Sequence, residues 1–460
     1  MLYSNVLKNI RIDFISFNLN SLYILFLYNQ RMRDILKKVI FWKLQFLAKI
    51  VLKKYKPGII TVTGSVGKTS AKEAIYAGLN QVLYIGKNKK SYNSEIGIPL
   101  AILGLESGWR NAWKWFKNIL EGLALIILPN IYPKWLVLEA GVDHPGDMDA
   151  INKFIKSDVV VFTRFPETPV HIEFFDSPEA VIKEKTKLIK SLKKDGVIIL
   201  NYDDKNVLNI KKSSGYHAVT FGFEEGSDVK ASNLETFYKS NRPTGIGFKV
   251  NVDGNSLPII LKDVLGIQHV YPILSAIAVG KALNLNIVKI IEAFENFKGE
   301  RGRMRILDGI FGGAIIDDTY NSSPIASEEA LKVLGSVEGR RKIAVLGDMM
   351  ELGKHMEEEH RKIGVLVREK KIDVLITVGE RAKFISEEAL SGGFKKENIY
   401  TFKNSIETGD FLKNFIREGD VVLVKGSQYI RLEKAVAQIL AKPEEKEWLL
   451  VRQEKEWQEK

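Results

Sequence analysis

The sequence predicts an α/β protein that has two mostly parallel sheets and begins with an apolar, basic helical segment. Three observations support this fold class. From residue 57 onward, short apolar strands alternate with helices, and a second alternation of the same kind begins near residue 300. Apolar strands joined by helices are typical of parallel sheets that are covered on both faces. Between the two alternations, residues 217–265 alternate more and contain glycines, which indicates antiparallel strands or hairpins.

We therefore expect four parts in this chain. They are an apolar basic helical segment (1–56), a central domain (57–299), a C-terminal Rossmann-like α/β domain (300–442) and a charged tail (443–460), which we expect to be a helix or a loose end. A length of 460 residues agrees with several domains, because a domain typically has roughly 150 residues. A hydrophobic content of 45% is enough for large cores.

The chain contains no cysteine. Disulfides and thiolate metal sites are therefore excluded, and a cytoplasmic location is expected. The net charge of +12 is concentrated at the N-terminus, since residues 1–56 hold eleven Lys and Arg against two Asp. The remaining residues are close to neutral. A nucleic-acid-binding body would carry a basic face there, so we expect no nucleic-acid partner.

The N-terminal segment contains an apolar run, Phe14–Tyr28, that is interrupted by Asn and Ser. It is too short for a membrane span, which needs about 20 apolar residues. No small-residue cleavage site follows, so a signal peptide is not expected either. The second half of the segment is predicted to form an amphipathic helix, with lysines on one side and Phe41, Trp42 and Phe46 on the other. This helix could lie in a membrane interface or pack on the next domain with its lysines at the rim.

A second amphipathic helix is predicted over 109–128, where Trp109, Trp113, Phe116 and Leu120 recur at helical spacing. Taken alone, this pattern is also compatible with a buried core helix. Together with the N-terminal helix, it favours a peripheral contact with the inner face of a membrane.

Residues 59–70 are predicted to form a strand, a phosphate-binding loop and the start of a helix over 71–79. The loop residues Gly64, Ser65, Val66 and Gly67 allow main-chain N–H groups to surround phosphate oxygens, and the helix N-terminus adds its dipole. Lys68 adds a positive charge, and the Thr69 hydroxyl is a candidate Mg²⁺ ligand. The loop has the short form T-G-x-x-G-K-T, because Val62 occupies the position of the first glycine of the longer P-loop pattern. This P-loop-type motif assigns the central sheet to nucleotide binding.

Carboxylates follow two other predicted strands. Glu139 ends the apolar strand 135–139, and Asp317 and Asp318 end the strand that begins at residue 314. Ligands of parallel sheets bind at the carboxyl ends of the strands. Glu139 is therefore the natural carboxylate partner of Thr69 for a metal ion. A long helix is expected over 178–193, before a strand over 196–201.

Nine segments in order resemble the motifs of the Mur ligase family, most closely of its MurF type. They are Thr63–Thr69, Tyr92–Pro99, Leu138–Gly146, His171–Ser177, Lys185, Gly302–Arg303, Asp317–Asn321, Leu346–Gly353 and Val424–Ser427. The resemblance covers residues 57–442, and Leu346–Gly353 resembles the stretch that separates the MurF type from its sister ligases. It implies an ATP-dependent ligase of peptidoglycan precursor synthesis, which joins D-alanyl-D-alanine to UDP-N-acetylmuramoyl-tripeptide through an acyl phosphate. A monomer is expected.

The resemblance also implies roles for individual residues. Lys68 should hold the β- and γ-phosphates of ATP, while Thr69 and Glu139 hold a first Mg²⁺. His171 and Lys185, the latter carbamylated, should hold a second Mg²⁺. Arg303 is expected at the γ-phosphate. Asp318 is expected at the ribose, with Tyr320 and Asn321 lining the nucleotide or amine site.

The sequence departs from the family pattern in two places. The family's G-x-H-N-x-x-N segment near adenine is replaced here by a stretch with His269 and Pro272 in the two Asn positions, so contacts with adenine should differ. Residues 1–56 stand where the family has a domain for the UDP end of the substrate. Two alternatives therefore stay open: a family ligase that joins a different carboxylate and amine, or a membrane-surface nucleotide-binding protein without ligase activity.

Overall fold

The computed structural model describes residues 39–87, 97–108, 111–166, 174–454 and 457. The chain divides into two compact units. The first comprises residues 1–56 and 96–132, and the second comprises residues 57–95 and 133–460. Residues 96–132, which the sequence places in the central domain, are grouped with the N-terminal segment instead. The apolar run Phe14–Tyr28 lies outside the described residues.

The first half of the chain contains the following elements in order: α1 (39–55), β1 (Gly58–Thr63), α2 (Lys68–Leu79), β2 (Ile85–Lys87), α3 (Gly97–Leu103), α4 (Ala112–Ile127), β3 (Trp135–Glu139), α5 (Asp147–Asn152), β4 (Ser157–Phe162), α6 (Pro178–Thr186), β5 (Leu192–Asn201), α7 (Lys205–Ser214) and β6 (His217–Gly222). The strands β7 (Val229–Lys239), β8 (Arg242–Val252) and β9 (Asn255–Lys262) follow, and then the helices α8 (Val270–Ala282) and α9 (Ile287–Glu292).

The remaining elements are β10 (Arg305–Asp308), β11 (Ala314–Asp318), α10 (Pro324–Ser336), β12 (Arg341–Gly347), α11 (Met356–Glu369), β13 (Val374–Val378), α12 (Lys383–Ser391), β14 (Ile399–Phe402), α13 (Ser405–Phe415), β15 (Asp420–Lys425), α14 (Glu433–Ile439) and α15 (Lys446–Leu449). The alternation expected after residue 300 is therefore present. The pattern gave no indication of β10, a short strand directly after the turn-rich linker.

The first unit contains α1, α3 and α4. One face of α1 is buried through Leu44, Leu47 and Val51, which recur at helical spacing. A Cβ on Gly122 of α4 would lie 3.0 Å from the side chain of Leu47, so the glycine allows close packing of the two helices. The Lys54 ammonium donates to main-chain oxygens at the C-terminus of α4, including that of Ile126 at 2.7 Å. A cation at this end complements the helix dipole.

The nine-stranded sheet of the second unit has the strand order β2-β3-β1-β4-β5-β6-β7-β8-β9. Strands β1 to β6 are parallel, and the start of β7 also pairs parallel with β6. The antiparallel strands expected over 217–265 are found in β7, β8 and β9, but not in β6, the first strand of that range. The central strand β1 lies between β3 and β4, with Val62 opposite Glu139 and Thr63 opposite Phe162. The carboxyl ends of these three strands therefore meet at one edge of the sheet.

The six-stranded sheet has the order β10-β11-β15-β12-β13-β14, and its strands are parallel except for β10. Both sheets confirm the predicted fold class of a mixed α/β protein. The long helix expected over 178–193 is wrong in its second half. Residues 187–191 form a 3-10 turn, and β5 begins at Leu192 with a register shift against β4, which leaves Lys193 to Asp195 at the surface.

Candidate functional site

The phosphate-binding loop connects β1 to α2. Gly67, the residue before α2, has φ 82°, a left-handed conformation that favours glycine. A Cβ on Gly64 would lie 2.0 Å from the Thr163 hydroxyl, so a side chain would not fit there. The Ser65 N–H donates to the main-chain oxygen of Arg164 at 2.8 Å, and the Thr163 hydroxyl donates to that of Val66 at 2.6 Å. The segment after β4 thus fixes the loop from the side.

Thr69 and Glu139 lie together, as the sequence predicted. The Thr69 hydroxyl, in the first turn of α2, donates to the Glu139 carboxylate at 2.9 Å. Glu139 is buried at the end of β3, which pairs directly with β1. Hydroxyl and carboxylate oxygens are suitable ligands for Mg²⁺.

Lys68 is surrounded by charges of both signs. Its ammonium is 3.4 Å from the main-chain oxygen of Ser65. Desolvation lowers the pKa of Lys68, and nearby Arg303 lowers it further, while Glu139 and Asp143 oppose these effects. Desolvation is the largest of these effects, and an anion such as phosphate beside Lys68 would oppose it by stabilising the charged ammonium.

Lys185 lies on α6 with only 1% of its side chain exposed. Burial lowers the pKa of Lys185 to about 7, with a further contribution from Lys68; Asp143, Glu139 and Asp147 act in the opposite direction. Lys185 and Lys68 therefore share two acidic neighbours and belong to one site. A large fraction of the Lys185 amine is neutral at neutral pH.

The segment that contains His171 lies outside the described residues, and so do Tyr92–Glu95. Lys68, Glu139 and Lys185 influence one another electrostatically, whereas the predicted position of His171 stays a prediction. Among the described residues, no three His, Asp or Glu side chains converge as a ready metal site. Mg²⁺ commonly uses one or two carboxylates together with substrate phosphates, so the Thr69 and Glu139 pair fits such an ion.

Arg303, in the linker between the sheets, faces the same region. Its guanidinium lies over the ring of Tyr320, 4.1 Å from the centroid. Its Nε atom is buried and lacks a hydrogen-bond partner within the part of the chain that the structure describes. Such an atom, next to the phosphate-binding loop, is suited to an incoming anion.

Asp318 ends β11, and its carboxylate accepts a hydrogen bond from the buried ammonium of Lys425 at 2.6 Å. Lys425 also donates to the main-chain oxygen of Asn321 at 3.1 Å. One carboxylate oxygen of Asp318 is thus engaged, a contact that the sequence did not predict although Lys425 stood in a recognised motif.

His269 is buried at the start of α8. Burial lowers its pKa to about 4, so its imidazole is neutral at physiological pH. The Nε2 atom of His269 is buried without a hydrogen-bond partner among the described residues. It is therefore available to a ligand.

A cavity connects the two sheets of the second unit at this point. Its lining includes Val66, Gly67, Thr163, Arg164, Asn201, His269, Tyr271, Pro272, Arg303, Asp318, Glu329 and Lys425. The loop, the linker and both sheets thus contribute to one space. Among the predicted site residues, the lining includes Val66, Gly67, His269, Arg303 and Asp318, but it does not include Lys68, Thr69, Glu139, Lys185, Tyr320 or Asn321.

Three contacts around this cavity could not be predicted from the sequence. The Arg164 guanidinium forms an ion pair with Glu329 of α10 and lies over the ring of Tyr271, 5.6 Å from the centroid. The Tyr271 hydroxyl donates to Asp203 at 2.9 Å. Arg164 lies two residues after β4, so its position near a strand end was the available signal, but its partner is distant in sequence.

The site combines a strand, a glycine-containing loop followed by Lys-Thr, and a helix. A carboxylate at the end of the neighbouring strand lies beside them. Together these features define a nucleotide-binding α/β protein. Family models described as "Mur ligase middle domain" and "Mur ligase, glutamate ligase domain" match residues 125–280 and 302–428. The chain belongs to the Mur ligase family.

The similar proteins agree on one branch of this family. The UDP-N-acetylmuramoyl-tripeptide–D-alanyl-D-alanine ligase of Bacillus subtilis is 28% identical over 401 residues, which are 87% of this chain and 79% of the relative. The Escherichia coli enzyme of the same name is 26% identical over 398 residues, with 85% and 78% covered.

The fold is shared with solved structures. MurF from Acinetobacter baumannii has a TM-score of 0.71 at 23% identity and covers 87% of this chain and 80% of its own. The MurF ligase from Thermotoga maritima, solved in complex with ADP, has a TM-score of 0.69 at 22% identity, with 89% and 84% covered.

Proposed function

We propose that this protein is an ATP-dependent ligase of peptidoglycan precursor synthesis that joins D-alanyl-D-alanine to UDP-N-acetylmuramoyl-tripeptide. The names of its curated relatives supply the substrate pair. The single observation that carries the proposal is the convergence of Lys68, Glu139 and Lys185 beside the phosphate-binding loop.

The proposed ligation proceeds in two steps, phosphorylation of a carboxylate and formation of an amide. A carboxylate oxygen of the tripeptide attacks the γ-phosphorus of ATP, the bond to the bridging oxygen breaks, and ADP leaves. The amine nitrogen of D-alanyl-D-alanine then attacks the acyl carbon, phosphate leaves, and the nitrogen loses a proton. The products are one amide bond, ADP and phosphate.

The chain's own residues suit both steps, since each gathers negative charge at one point. Lys68 and Arg303 place two cations near the transferred phosphoryl group, where fixed charges stabilise a transition state. The main-chain N–H groups around Gly67 and the start of α2 bind phosphate oxygens. Mg²⁺, when bound, neutralises phosphate charge; Thr69 with Glu139 would hold one ion, and His171 with carbamylated Lys185 a second.

The environment of Lys185 supports its carbamylation. A neutral amine adds to the carbon of CO₂ and loses one proton, which leaves a carbamate anion on the side chain. A lysine with its ordinary pKa is almost entirely protonated at neutral pH and reacts slowly, whereas Lys185 has a pKa of about 7. The cation of nearby Lys68 stabilises the resulting anion.

ADP release with both substrates present tests the proposed function. The wild-type protein should release ADP only when UDP-N-acetylmuramoyl-tripeptide and D-alanyl-D-alanine are both added. Lys68→Ala should lower this rate by at least about a hundredfold, whereas the matched change Lys211→Ala on exposed α7 should leave it unchanged. Equal rates in the Lys68→Ala variant and the wild type would contradict the assignment.

The departure of residues 1–56 from the family pattern gives a reason to screen other substrates. If ADP appears with another carboxylate and amine pair but not with this one, the protein is a family ligase of different specificity. If no pair releases ADP while ATP still binds, the non-catalytic alternative holds. The retained group of Glu139, Lys68 and Lys185 speaks against that outcome.

A further inference from the structure

The outer face of α4 carries an apolar stripe that is exposed within the part of the chain that the structure describes. Its side chains recur every three or four residues and are largely exposed: Trp113 (74%), Phe116 (48%), Leu120 (49%), Leu123 (39%) and Ile127 (74%). The stripe continues past the helix through Leu128 and Ile131. In a stably folded protein, a contiguous exposed apolar surface of this kind marks a site of interaction with a partner.

The inner face of α4 contains small, polar and apolar residues. Asn118 is buried and donates to the main-chain oxygen of Glu106 at 2.7 Å, and Gly122 is buried against Leu47. Trp115 and Ile119 are half-buried. The large side chains of the stripe nevertheless turn outward. This arrangement is the reverse of an ordinary surface helix, and it excludes the interpretation of α4 as a core helix buried on its aromatic face.

The first unit, which carries this stripe, has a surplus of positive charge. Its described residues hold seven lysines (Lys43, Lys49, Lys53, Lys54, Lys56, Lys114 and Lys117) against Glu106 and Glu121. On the exposed side of α1, Trp42 and Phe46 stack at a centroid distance of 5.9 Å. Exposed aromatic rings, lysines and an apolar stripe in one unit match the interfacial region of an anionic bilayer.

The length and pattern of α4 favour a helix that lies along a membrane. Its 16 residues extend about 24 Å at 1.5 Å per residue, short of the roughly 30 Å hydrocarbon core. Helix α4 has one exposed apolar side and one side packed on its own unit, which also suits a helix that lies in the plane of the membrane interface. None of the helices within the described ranges is long and apolar enough to span a membrane.

We propose that the stripe of α4 docks peripherally onto an anionic lipid bilayer. Charge decides between this partner and two others. A second copy of the unit would bring the same positive surplus against itself. Residues 1–38 also carry more Lys and Arg than Asp, so they would add like charge. Anionic lipid supplies the opposite charge, worth about 1 kcal/mol per Lys near the surface.

Site-specific labelling of the full-length chain tests the docking surface directly. The protein has no cysteine, so Leu120→Cys gives one attachment site for an environment-sensitive dye such as NBD. Vesicles of phosphatidylcholine and phosphatidylglycerol should shift the dye emission to the blue, and pure phosphatidylcholine vesicles should shift it much less. The matched variant Ile406→Cys, on exposed α13 of the second unit, should give no shift. A dye that is already blue-shifted at low protein concentration without vesicles would show that the chain covers this face itself and would overturn the proposal.

Sedimentation with the same vesicles measures the affinity. Phe116→Ser combined with Leu120→Ser should lower binding to the anionic vesicles by about tenfold or more, since two apolar side chains no longer enter the bilayer. The matched pair Val288→Ser and Ile406→Ser removes exposed apolar residues of the second unit and should change binding less than twofold. Circular dichroism and ADP release serve as folding controls.

Two further outcomes would overturn the proposal. One is equal sedimentation of the wild type and the Phe116→Ser/Leu120→Ser variant. The other is a concentration-dependent dimer, seen by analytical ultracentrifugation without lipid, that this double variant disperses. These outcomes are independent of ligase activity, so the membrane proposal and the proposed function can fail separately.

Discussion

The Arg452 guanidinium donates from Nη1 to the main-chain oxygen of Thr319 at 3.1 Å, and from Nη2 to that of Tyr320. Thr319 and Tyr320 directly follow β11, and both Arg303 and Arg452 lie over the ring of Tyr320, with their guanidinium carbons 4.1 and 5.6 Å from its centroid. Arg452 is buried and also contacts Glu433 of α14 at 3.3 Å. The C-terminal segment therefore holds the loop that supports Arg303. The tail is not a loose end in this region.

Arg452→Met should reduce both stability and activity. It removes the donors to two carbonyl oxygens and takes one partner from the buried carboxylate of Glu433. We expect the free energy of unfolding to fall by about 2–4 kcal/mol and the KM for ATP to rise. Urea unfolding and ADP release measure these effects, with Lys446→Met on the exposed surface as the control. A stable variant with an unchanged KM would show that Arg452 does not position the loop.

The Lys185 amine should give the activity a dependence on pH and on CO₂. Below about pH 7 the amine is protonated and cannot react with CO₂, so activity should fall as the pH drops through this range. Added bicarbonate should restore activity in a preparation depleted of CO₂. Lys185→Gln should be inactive and unresponsive to bicarbonate, whereas Lys183→Gln, exposed on the same helix, should behave as the wild type. An active Lys185→Gln variant would refute the assigned role.

The same lysine should affect stability in CO₂-free buffer. The pKa of Lys185 is lowered from 10.5 to about 7 in the folded protein. Between these values the unfolded chain binds more protons, so folding stability should rise with pH across that window. In Lys185→Met this contribution is absent, and the rise should be smaller. Urea midpoints measured at several pH values for both proteins provide the test, and parallel curves would count against it.

Ligase activity should depend on the hydroxyl group of Thr69 and not on the shape of its side chain. Thr69→Val keeps the volume but removes the oxygen next to Glu139, and we expect a loss of activity on the order of a hundredfold, with a higher Mg²⁺ requirement. Thr69→Ser keeps the hydroxyl and should retain most of the activity. If the Val and Ser variants are equally active across a Mg²⁺ titration, the hydroxyl is not a metal ligand.

The ion pair between Arg164 and Glu329 should couple the two sheets of the second unit. Arg164→Met and Glu329→Gln should each destabilise the protein, because each leaves a partly buried charge without its partner. The double variant should be less affected than the sum of the single changes, with a coupling energy of about 0.5–3 kcal/mol. A double-mutant cycle on urea unfolding measures this energy, and strict additivity would show that the two residues do not interact.

The strand and helix pattern was largely predictable because apolar strands of a parallel sheet stand out in the sequence. The meeting of Lys68, Thr69 and Glu139 was also predictable, since neighbouring parallel strands end at one edge. Contacts such as Arg164 with Glu329 were not, because residues 165 positions apart leave no local signal. The grouping of α4 with α1 was missed for the same reason: it depends on Gly122 meeting Leu47, a tertiary contact.

Buried His269 and its neighbours Tyr271 and Pro272 have a practical consequence for inhibitor selectivity. All three residues line the cavity, and His269 and Pro272 occupy the positions where the family pattern has asparagines near the adenine base. The His269 imidazole is buried, and its lowered pKa keeps it neutral, so it offers one ring nitrogen in place of an amide with both a donor and an acceptor. Purine analogues that keep the triphosphate but alter the hydrogen-bonding edge should therefore discriminate between this ligase and its asparagine-bearing relatives.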